Sequence, residues 1–259
     1  IRDPDRSRGL GDVYKRQIFI CISSSHYFTL STMKELQKQI IQALAERLAP
    51  YGFVKRSGNC FTRDINKNVW QRIEFPPSYY HPGVKAIYPG IAVGYKDEFD
   101  LQQKFFNFHF PYPRYSYSTF YTMLLNLVRT DDLCWTFRKE EDIIPQIDDM
   151  TQTVVKKAIP YMDYISDRKN LIAEMESGFI YSKFETWCHT RLPIAYYLEG
   201  RNDLALWRLN YYIQKFETEL SSYMKEDENS HSTNGARNKL QDYIEFAEKL
   251  KKVMETESR

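Results

Sequence analysis

The sequence lacks the short motifs that commonly identify an enzyme. It has no G-x-x-x-x-G-K-[ST] phosphate loop and no G-x-G-x-x-G dinucleotide-binding turn. It also has no H-E-x-x-H or C-x-x-C metal-binding pair and no G-x-S-x-G nucleophile elbow. We therefore predict no catalytic residue, no metal site and no cofactor, and we lean towards a protein that is not an enzyme.

Cysteines and long apolar runs are scarce. From Met33 onwards the cysteines are Cys60, Cys134 and Cys188, at wide spacing. That pattern is neither a disulfide framework nor a zinc-binding arrangement. No apolar run approaches the ~20 residues that span a bilayer. These absences predict a reduced, cytoplasmic protein with no membrane association.

The first 32 residues do not resemble part of a fold. Residues 7–17 (SRGLGDVYKRQ) back-translate into a transposase-type sequencing adapter read in frame, and residues 1–3 into the end of the primer that precedes it. We predict that residues 1–17 are translated sequencing adapter and that residues 18–32 are upstream read-through. The expected source is a bacterial gene from metagenomic DNA, with a native start at Met33.

Without residues 1–17 the chain carries no net charge. Those residues contain five of the 36 basic and three of the 34 acidic side chains, so 31 of each remain. A neutral chain lacks the long-range field with which proteins attract nucleic acid or anionic lipid. We therefore expect no nucleic-acid partner and no membrane partner.

Residues 33–176 have the pattern of an α+β domain. Apolar residues at every fourth position predict an N-terminal helix over residues 33–48. Short runs bounded by turn residues predict strands over residues 53–56, 60–63, 69–75, 84–95 with a break at Pro89, 105–110 and 133–138. Residues 76–83 are expected to form a loop and residues 120–128 a short helix. We predict that the N-terminal helix packs on an antiparallel β-sheet, with a closing helix from Glu141 to Ala158.

Residues 177–259 are predicted to form an all-helical C-terminal extension. A helix around Cys188 precedes a separate segment over residues 193–198, and a long helix follows. Its predicted buried stripe is Leu206, Leu209, Ile213, Phe216 and Leu220. The helices before and after Gly200 are predicted to form an αα-hairpin. The polar run at residues 225–235 (KEDENSHSTNG) is expected to be a mobile connection to a final helix.

The opening of the α+β domain is similar to a known family. Residues 48–63 read LAPYGFVKRSGNCFTR, and this helix end, Gly-Phe turn and Gly-centred hairpin resemble the start of the bacterial "domain of unknown function 4304" family. Residues 141–165 resemble its closing element. The resemblance covers roughly residues 36–176 in element order more than identity, and VWQRIEF at residues 69–75 departs from the family's Asn-Leu-Gln-like strand. It implies the order of helix and strands, and it carries over no activity and no catalytic residue.

Residues 105–121 (FFNFHFPYPRYSYSTFY) hold nine aromatic side chains. In a structural interpretation the alternating phenylalanines fill the core and residues 111–117 form an ordered loop. In a second interpretation the segment binds a partner protein, since tyrosine is enriched at interfaces; that surface would consist of Tyr112, Arg114, Tyr115 and Tyr117. In a third, the rings stack on single-stranded nucleic acid, which the missing positive charge disfavours.

A second candidate centre lies on one helical turn. Glu185, Cys188 and His189 stand at positions i, i+3 and i+4, where one turn presents all three to a metal ion. His81 and His109 are the candidates for further ligands. We favour the alternative in which Cys188 packs in the core with Trp187, as free cysteines usually do, while Glu185 and His189 form an exposed pair.

These observations favour a non-enzymatic protein-binding module whose partner is another protein. A role in bacterial defence or in neutralising a toxin is a narrower expectation. Two alternatives stay open. One is an enzyme with an unrecognised active site near His109, Glu185 and His189, and the other is a single-strand binder that uses residues 105–121.

Overall fold

The chain combines two antiparallel sheets with helices, and the last two of the described helices are the longest. The computed structural model describes residues 30–56, 58–81, 84–106, 115, 117–128, 134–177, 185–227 and 230–257. The helices are α1 (Leu30–Leu48), α2 (Lys96–Phe106), α3 (Leu124–Val128), α4 (Ile143–Thr153), α5 (Ile159–Ile165), α6 (Arg168–Ser177), α7 (Glu185–Leu198), α8 (Asn202–Glu226) and α9 (His231–Glu257). The strands are β1 (Val54–Lys55), β2 (Cys60–Asp64), β3 (Val69–Glu74), β4 (Pro77–His81), β5 (Val84–Ile87), β6 (Gly90–Tyr95), β7 (Phe120–Met123) and β8 (Trp135–Phe137). The predicted α+β class with a helical C-terminal part is confirmed.

Helix α1 forms where the apolar stripe predicted it. The stripe is buried and consists of Leu36, Ile40, Leu44 and Leu48. The helix ends in a 3₁₀ turn that contains Pro50, after which Gly52 adopts the left-handed conformation with φ 80°. Arg47 forms a 2.6 Å ion pair with Asp148, which ties α1 to α4.

The two sheets are antiparallel throughout. The larger has the strand order β1-β2-β3-β6-β7, and the smaller has the order β4-β5-β8. Phe61, Ile73, Ile91 and Thr122 stand side by side on four neighbouring strands of the larger sheet. All four are buried, and β6 contacts α5. This face of the larger sheet therefore supplies part of the core.

The closing helix continues beyond its predicted end at Ala158. One π turn (Val154–Ala158) joins α4 to α5, and Pro160 stands two residues after it. Proline has no N–H to donate to the turn before it, and π-helical geometry occurs mostly as such single turns inside α-helices. Gln71 of β3 donates a 2.9 Å hydrogen bond to Asp163 of α5. The extended closing helix is thereby fastened to the larger sheet.

Two predictions for the strands were wrong. Residues 76–83 are not a continuous loop, because β4 pairs with β5. Pro77 begins this edge strand, where a missing N–H costs no ladder hydrogen bond. Residues 120–123 form β7 and not the start of a helix. Pairing with β6 buries Phe120 and Thr122 while Tyr121 stays exposed, and that pairing decides the conformation.

The predicted strand at residues 105–110 was also wrong where the structure describes it. Phe105 lies in α2, and residues 107–110 lie outside the described residues. Leu101 and Phe105 are both buried four residues apart, which is helical spacing. Acidic Asp97 and Glu98 occupy the first turn of α2, where the helix dipole favours negative charge.

The helical part contains the predicted αα-hairpin, formed by α7 and α8 with Gly200 at the turn. The prediction of a separate segment from Pro193 was wrong, because α7 runs through that residue. Pro193 has no N–H, so the carbonyl oxygen of His189 lacks its helical donor. Tyr243 of α9 donates its hydroxyl to that oxygen at 2.9 Å, which replaces the missing hydrogen bond.

The predicted mobile connection at residues 225–235 was wrong over most of its length. Helix α8 extends to Glu226 and α9 begins at His231. Ser230 caps α9, because its hydroxyl oxygen accepts the backbone N–H of Thr233 at 3.0 Å. The Thr233 hydroxyl donates to the carbonyl oxygen of Asp227 at 2.6 Å. The second bond ties the first turn of α9 to Asp227, the residue after α8.

A single hydrophobic cluster runs from α1 to α9. It joins the inner face of the larger sheet to the buried faces of α7, α8 and α9. Helices α7 and α9 both contact α2. Within the described ranges, no helix has the length and apolar character needed to cross a bilayer.

Candidate functional site

Helix α8 exposes a pair of large aromatic side chains. Its buried face consists of Ala205, Leu209, Tyr212 and Phe216. On another face Trp207 is 56% exposed and Tyr211 is 41% exposed. Their rings are stacked, with centroids 5.8 Å apart and an interplanar angle of 22°. Leu206 beside them is 39% exposed, and we call Leu206, Trp207 and Tyr211 the α8 ridge.

Arg208 holds the rings of the α8 ridge in order. Its guanidinium carbon lies 5.0 Å from the Trp207 ring centroid and 5.6 Å from that of Tyr211. A guanidinium at these distances is attracted to the electron-rich ring faces. Arg208 therefore restricts the movement of both exposed rings.

The α8 ridge is continuous with an aromatic cluster between the C-terminal helices. Tyr211 contacts Tyr212 with ring centroids 5.2 Å apart. Tyr212 in turn lies 6.0 Å from Phe216 and 6.0 Å from Tyr243 of α9. A chain of touching rings thus leads from the exposed surface to the contact between α8 and α9.

This cluster borders an open groove of about 570 Å³, which we call the His189 groove. Helix α7 contributes His189 and α9 contributes Lys239. The remaining lining residues come from α8 and are Tyr212, Lys215, Phe216, Thr218, Glu219, Ser222 and Tyr223. The groove thus combines aromatic walls with charged and hydroxyl groups, as many ligand sites do.

His189 lies among aromatic rings in this groove. The ring centroids of Phe216 and Tyr243 are 5.5 and 5.4 Å from its imidazole. Burial and, to a smaller extent, the positive charges of Lys239 and Arg191 together lower the pKa of His189 to about 4. The imidazole is therefore neutral at pH 7. Its buried Nδ1 has no hydrogen-bond partner in the described part of the chain.

Lys239 spans the groove from α9 to α8. Its ammonium nitrogen lies 4.2 Å from the Phe216 ring centroid and 2.8 Å from a Glu219 carboxylate oxygen. The ammonium group therefore combines an ion pair with a cation–π contact. Lys215 also lines the groove. The charged side chains that line the groove are therefore two lysines and one glutamate.

A second polar cluster is sealed inside the molecule. Glu98 in the first turn of α2 is fully buried, and its Oε1 accepts a 2.7 Å hydrogen bond from the Tyr117 hydroxyl. Burial raises the pKa of Glu98, while Arg191 opposes that shift. Arg191 of α7 donates to the carbonyl oxygen of Thr119 and lies 5.6 Å from the Tyr117 ring centroid. We call this the Glu98 cluster.

The predicted partner-binding tyrosines that the structure describes have their polar atoms bound within the chain. Tyr115 is half-buried; its hydroxyl donates to Asp64 at 2.9 Å and accepts from Arg56 at 3.1 Å. Tyr117 is held in the Glu98 cluster. Tyr112 and Arg114 lie outside the described residues. The structure therefore places the two described members of this predicted surface against the rest of the protein.

The predicted centre around Glu185 is only partly described. The side chain of Glu185 lies outside the described part, as does all of His109, whereas His189 lies in the groove. Cys188 is buried in the core, which confirms that part of the favoured interpretation. The exposed position expected for His189 was wrong, because its imidazole is half-buried among aromatic rings of α8 and α9. Among the described residues, no group of three or more His, Cys, Asp or Glu side chains is arranged to hold a metal ion.

The aromatic segment at residues 105–121 is mostly internal where it is described. Phe105 and Phe120 are buried, and Phe105 packs edge-on against Phe246 of α9 at 5.9 Å. Tyr121 is 38% exposed. This packing supports the structural interpretation of the segment for its described residues.

Sequence reasoning missed the residues of the α8 ridge and most of those in the groove. Trp207 and Tyr211 stand four residues apart, a spacing that places two rings on one helical face. That signal was available, but the predicted stripe placed Leu206 inside and left Tyr212 out. No protein-family model matches the chain, no curated protein matches its sequence and no solved structure matches it significantly, so the resemblance proposed for residues 36–176 stays a prediction.

Proposed function

We propose that the protein is a non-enzymatic protein-binding module whose partner contacts the α8 ridge. The observation that carries the proposal is the exposed, stacked pair of Trp207 and Tyr211, held in place by Arg208. Tryptophan, tyrosine and arginine are the residue types that most often dominate binding energy at protein interfaces. Exposed neighbouring aromatics of this size are unusual on a surface without a binding role.

The ridge has the properties of a preformed contact. Trp207 and Tyr211 lie on a helix of 25 residues, so their backbone is rigid. Burying two such rings in a partner removes apolar area from water at roughly 25 cal/mol per Å². Because Arg208 already orders the rings, less of that gain is lost to side-chain entropy.

Other features of the molecule support this proposal over an enzyme. A catalytic histidine is usually oriented by a hydrogen bond to one of its ring nitrogens. Nδ1 of His189 has no such bond within the described residues. Glu98, the buried carboxylate, is engaged by Tyr117 and Arg191 inside the fold. Neither His189 nor Glu98 is therefore arranged as a member of a catalytic acid–base pair.

The proposal extends to the setting in which the protein works. Cys60, Cys134 and Cys188 are free thiols, which supports a reducing compartment such as the cytoplasm. We also propose a bacterial source and, more narrowly, a partner that is a toxin or belongs to a defence system. The identity of a partner captured through the α8 ridge tests these narrower statements.

The test compares ridge variants with an exposed control. The full chain is immobilised, and bacterial lysate proteins that it retains are quantified for the wild type, Trp207→Ala, Tyr211→Ala and Tyr164→Ala. Tyr164 on α5 is 46% exposed and serves as the matched control. We expect one protein retained by the wild type and the control, with affinity reduced at least roughly tenfold by each ridge variant.

The same experiment can overturn the proposal. Retention that is equal for the wild type and both ridge variants excludes the α8 ridge as the contact. Retention that Tyr164→Ala reduces as strongly indicates non-specific adhesion. Circular dichroism of each variant establishes that the comparison is made between folded proteins.

A further inference from the structure

We propose that Tyr196 is a positioning residue for the α8 ridge and that it acts through Arg208. Glu176 in turn holds Tyr196 in place. The inference deepens the proposed function, and its effect on partner affinity rests on that function. The order of the ridge is a property of the protein alone, so it can be measured without a partner.

The Tyr196 side chain is held at both its hydroxyl and its ring. It lies near the end of α7 and is only 2% exposed. Its hydroxyl donates to a carboxylate oxygen of Glu176 on α6, and a hydrogen bond to an ionised acceptor is stronger than one between neutral groups. The guanidinium carbon of Arg201, just before α8, lies 5.2 Å from the centroid of the Tyr196 ring. Contacts from α6 and from the start of α8 therefore fix this side chain.

The Tyr196 hydroxyl is shared between Glu176 and Arg208. Burial and the Glu176 carboxylate raise the pKa of Tyr196 to about 12, whereas the charge of Arg208 and its hydrogen bond to Tyr196 act in the opposite direction. The hydroxyl is therefore protonated at neutral pH. It donates its proton to Glu176 and keeps an oxygen lone pair that accepts from Arg208.

Arg208 connects this hydroxyl to the exposed rings. Its guanidinium carbon lies 5.0 and 5.6 Å from the ring centroids of Trp207 and Tyr211. The buried Nε of Arg208 has no hydrogen-bond partner in the described part of the chain, so the orientation of the guanidinium depends more strongly on its bond to Tyr196. Loss of the Tyr196 hydroxyl should therefore loosen the rings, although the hydroxyl belongs to another helix.

The first measurement follows the order of the ridge in the full chain without a partner. The protein is labelled with 5-fluorotryptophan, and the fluorine NMR signal of Trp207 is assigned by its loss in Trp207→Phe. We expect Tyr196→Phe and Glu176→Ala to shift this signal towards its position in Arg208→Ala. Glu176→Gln keeps an acceptor oxygen and should retain the wild-type position.

Tyr95→Phe is the matched control for the loss of a buried hydroxyl. The Tyr95 hydroxyl donates to the carbonyl oxygen of Ile165 at 2.8 Å, in the contact between the larger sheet and α5. We expect this variant to leave the Trp207 signal in place. A shift confined to the Tyr196 and Glu176 variants then separates positioning from a general loss of packing.

The second measurement is the affinity for a protein that the chain retains through the α8 ridge. Tyr196→Phe and Glu176→Ala should weaken binding roughly threefold to tenfold, because a partner must then order side chains that are ordered in the wild type. Glu176→Gln and Tyr95→Phe should bind like the wild type.

Several results would overturn the positioning role. They are an unmoved Trp207 signal in Tyr196→Phe or in Glu176→Ala, an equal shift in Tyr95→Phe, and a shifted signal with unchanged partner affinity. Circular dichroism checks the fold of each variant, and exposed Glu176 provides a test that leaves the core intact. Absence of any protein retained through the ridge would refute the proposed function, whereas the Trp207 signal would still decide whether Tyr196 orders the ridge.

Discussion

The Glu98 cluster and the His189 groove use similar groups in opposite ways. Each places a titratable side chain beside tyrosine or phenylalanine rings, and Arg191 acts on both. In the Glu98 cluster the carboxylate accepts a hydrogen bond from Tyr117 and is fully buried. In the groove the imidazole keeps an unpartnered Nδ1 next to an open volume of about 570 Å³.

The difference separates a polar group enclosed by the fold from one that borders an open groove. Burying a charge is costly unless a counter-charge and hydrogen bonds compensate it. Glu98 has the hydrogen bond of Tyr117 and the charge of Arg191 nearby, but its Oε2 has no partner among the described residues and burial still raises its pKa. Its removal is therefore expected to affect folding. His189 avoids the same cost by staying neutral, and it lines an open groove. Its replacement is expected to affect pH dependence more than the fold.

The largest expected effect is the loss of the Glu98 carboxylate. Glu98→Ala leaves Arg191 buried without its counter-charge and removes the acceptor of the Tyr117 hydroxyl. We expect the free energy of unfolding to fall by about 3–5 kcal/mol, measured by urea denaturation at pH 7. Asp100→Ala on the same helix removes a partly exposed ion pair with Lys96 and should cost less than about 1 kcal/mol. Equal effects of the two variants would contradict a structural role for the buried Glu98 side chain.

The second prediction concerns the acid sensitivity caused by His189. Its pKa in the folded protein is about 4, below the ordinary value near 6.5 in the unfolded chain. The unfolded state therefore binds the extra proton first, and stability falls as the pH drops from about 6.5 to about 4. Between pH 7 and pH 4.5 the wild type should lose about 2–3 kcal/mol more than His189→Gln does.

Urea unfolding at both pH values measures this difference. His231→Gln is the matched control, since His231 is exposed on α9 and should leave the wild-type slope unchanged. NMR titration of the imidazoles gives the pKa of His189 directly. A value near that of a free histidine would contradict the burial described for this side chain.

The smallest expected effect contrasts two glycines, one in the last helix and one in the larger sheet. An added Cβ at Gly235 in α9 meets no neighbouring atom within 4 Å, so Gly235→Ala should stabilise the helix by about 0.5–1 kcal/mol. At Gly94 of β6 the added atom would lie 2.4 Å from the Trp70 ring. Gly94→Ala should therefore destabilise the protein by roughly 1–3 kcal/mol. Thermal unfolding of both variants checks the opposite signs, and equal signs would contradict this difference in packing.

Local patterns predicted the elements whose partners are close in sequence. The stripe of α1 is visible because one face of the helix is buried along its whole length. The hairpin of β2 and β3 is marked by Asn66, whose side-chain oxygen accepts the backbone N–H groups of Asn68 and Val69 at 2.8 Å each. Both signals involve only neighbouring residues, so the sequence alone was sufficient.

Elements that depend on distant partners were assigned wrongly. The helix predicted from residue 120 was wrong, because the conformation of Phe120 and its neighbours follows from pairing with β6. The same limit applies to predicting which face of helix α8 is buried. Leu206 belongs to a plausible apolar stripe, yet α7 and α9 cover the face that contains Tyr212. The rotation of a helix about its axis depends on the elements packed against it.

The candidate site was predictable only in fragments. His189 was singled out for metal chemistry, and the structure surrounds it with rings from α8 and α9. Lys239 and Glu219 stand 20 residues apart in the chain, so nothing in the sequence pattern joins them, yet they form an ion pair across the groove.

By itself the sequence determined the α+β class, the first helix and hairpin, and the presence of a helical C-terminal part. These features follow from apolar periodicity and turn chemistry, which act over a few residues. The tertiary structure alone decided that Tyr117 meets Glu98, that Trp207 remains exposed and that His189 lies beside a groove. Such outcomes depend on which surfaces cover each other after folding, and burial and charge compensation between distant residues select among them.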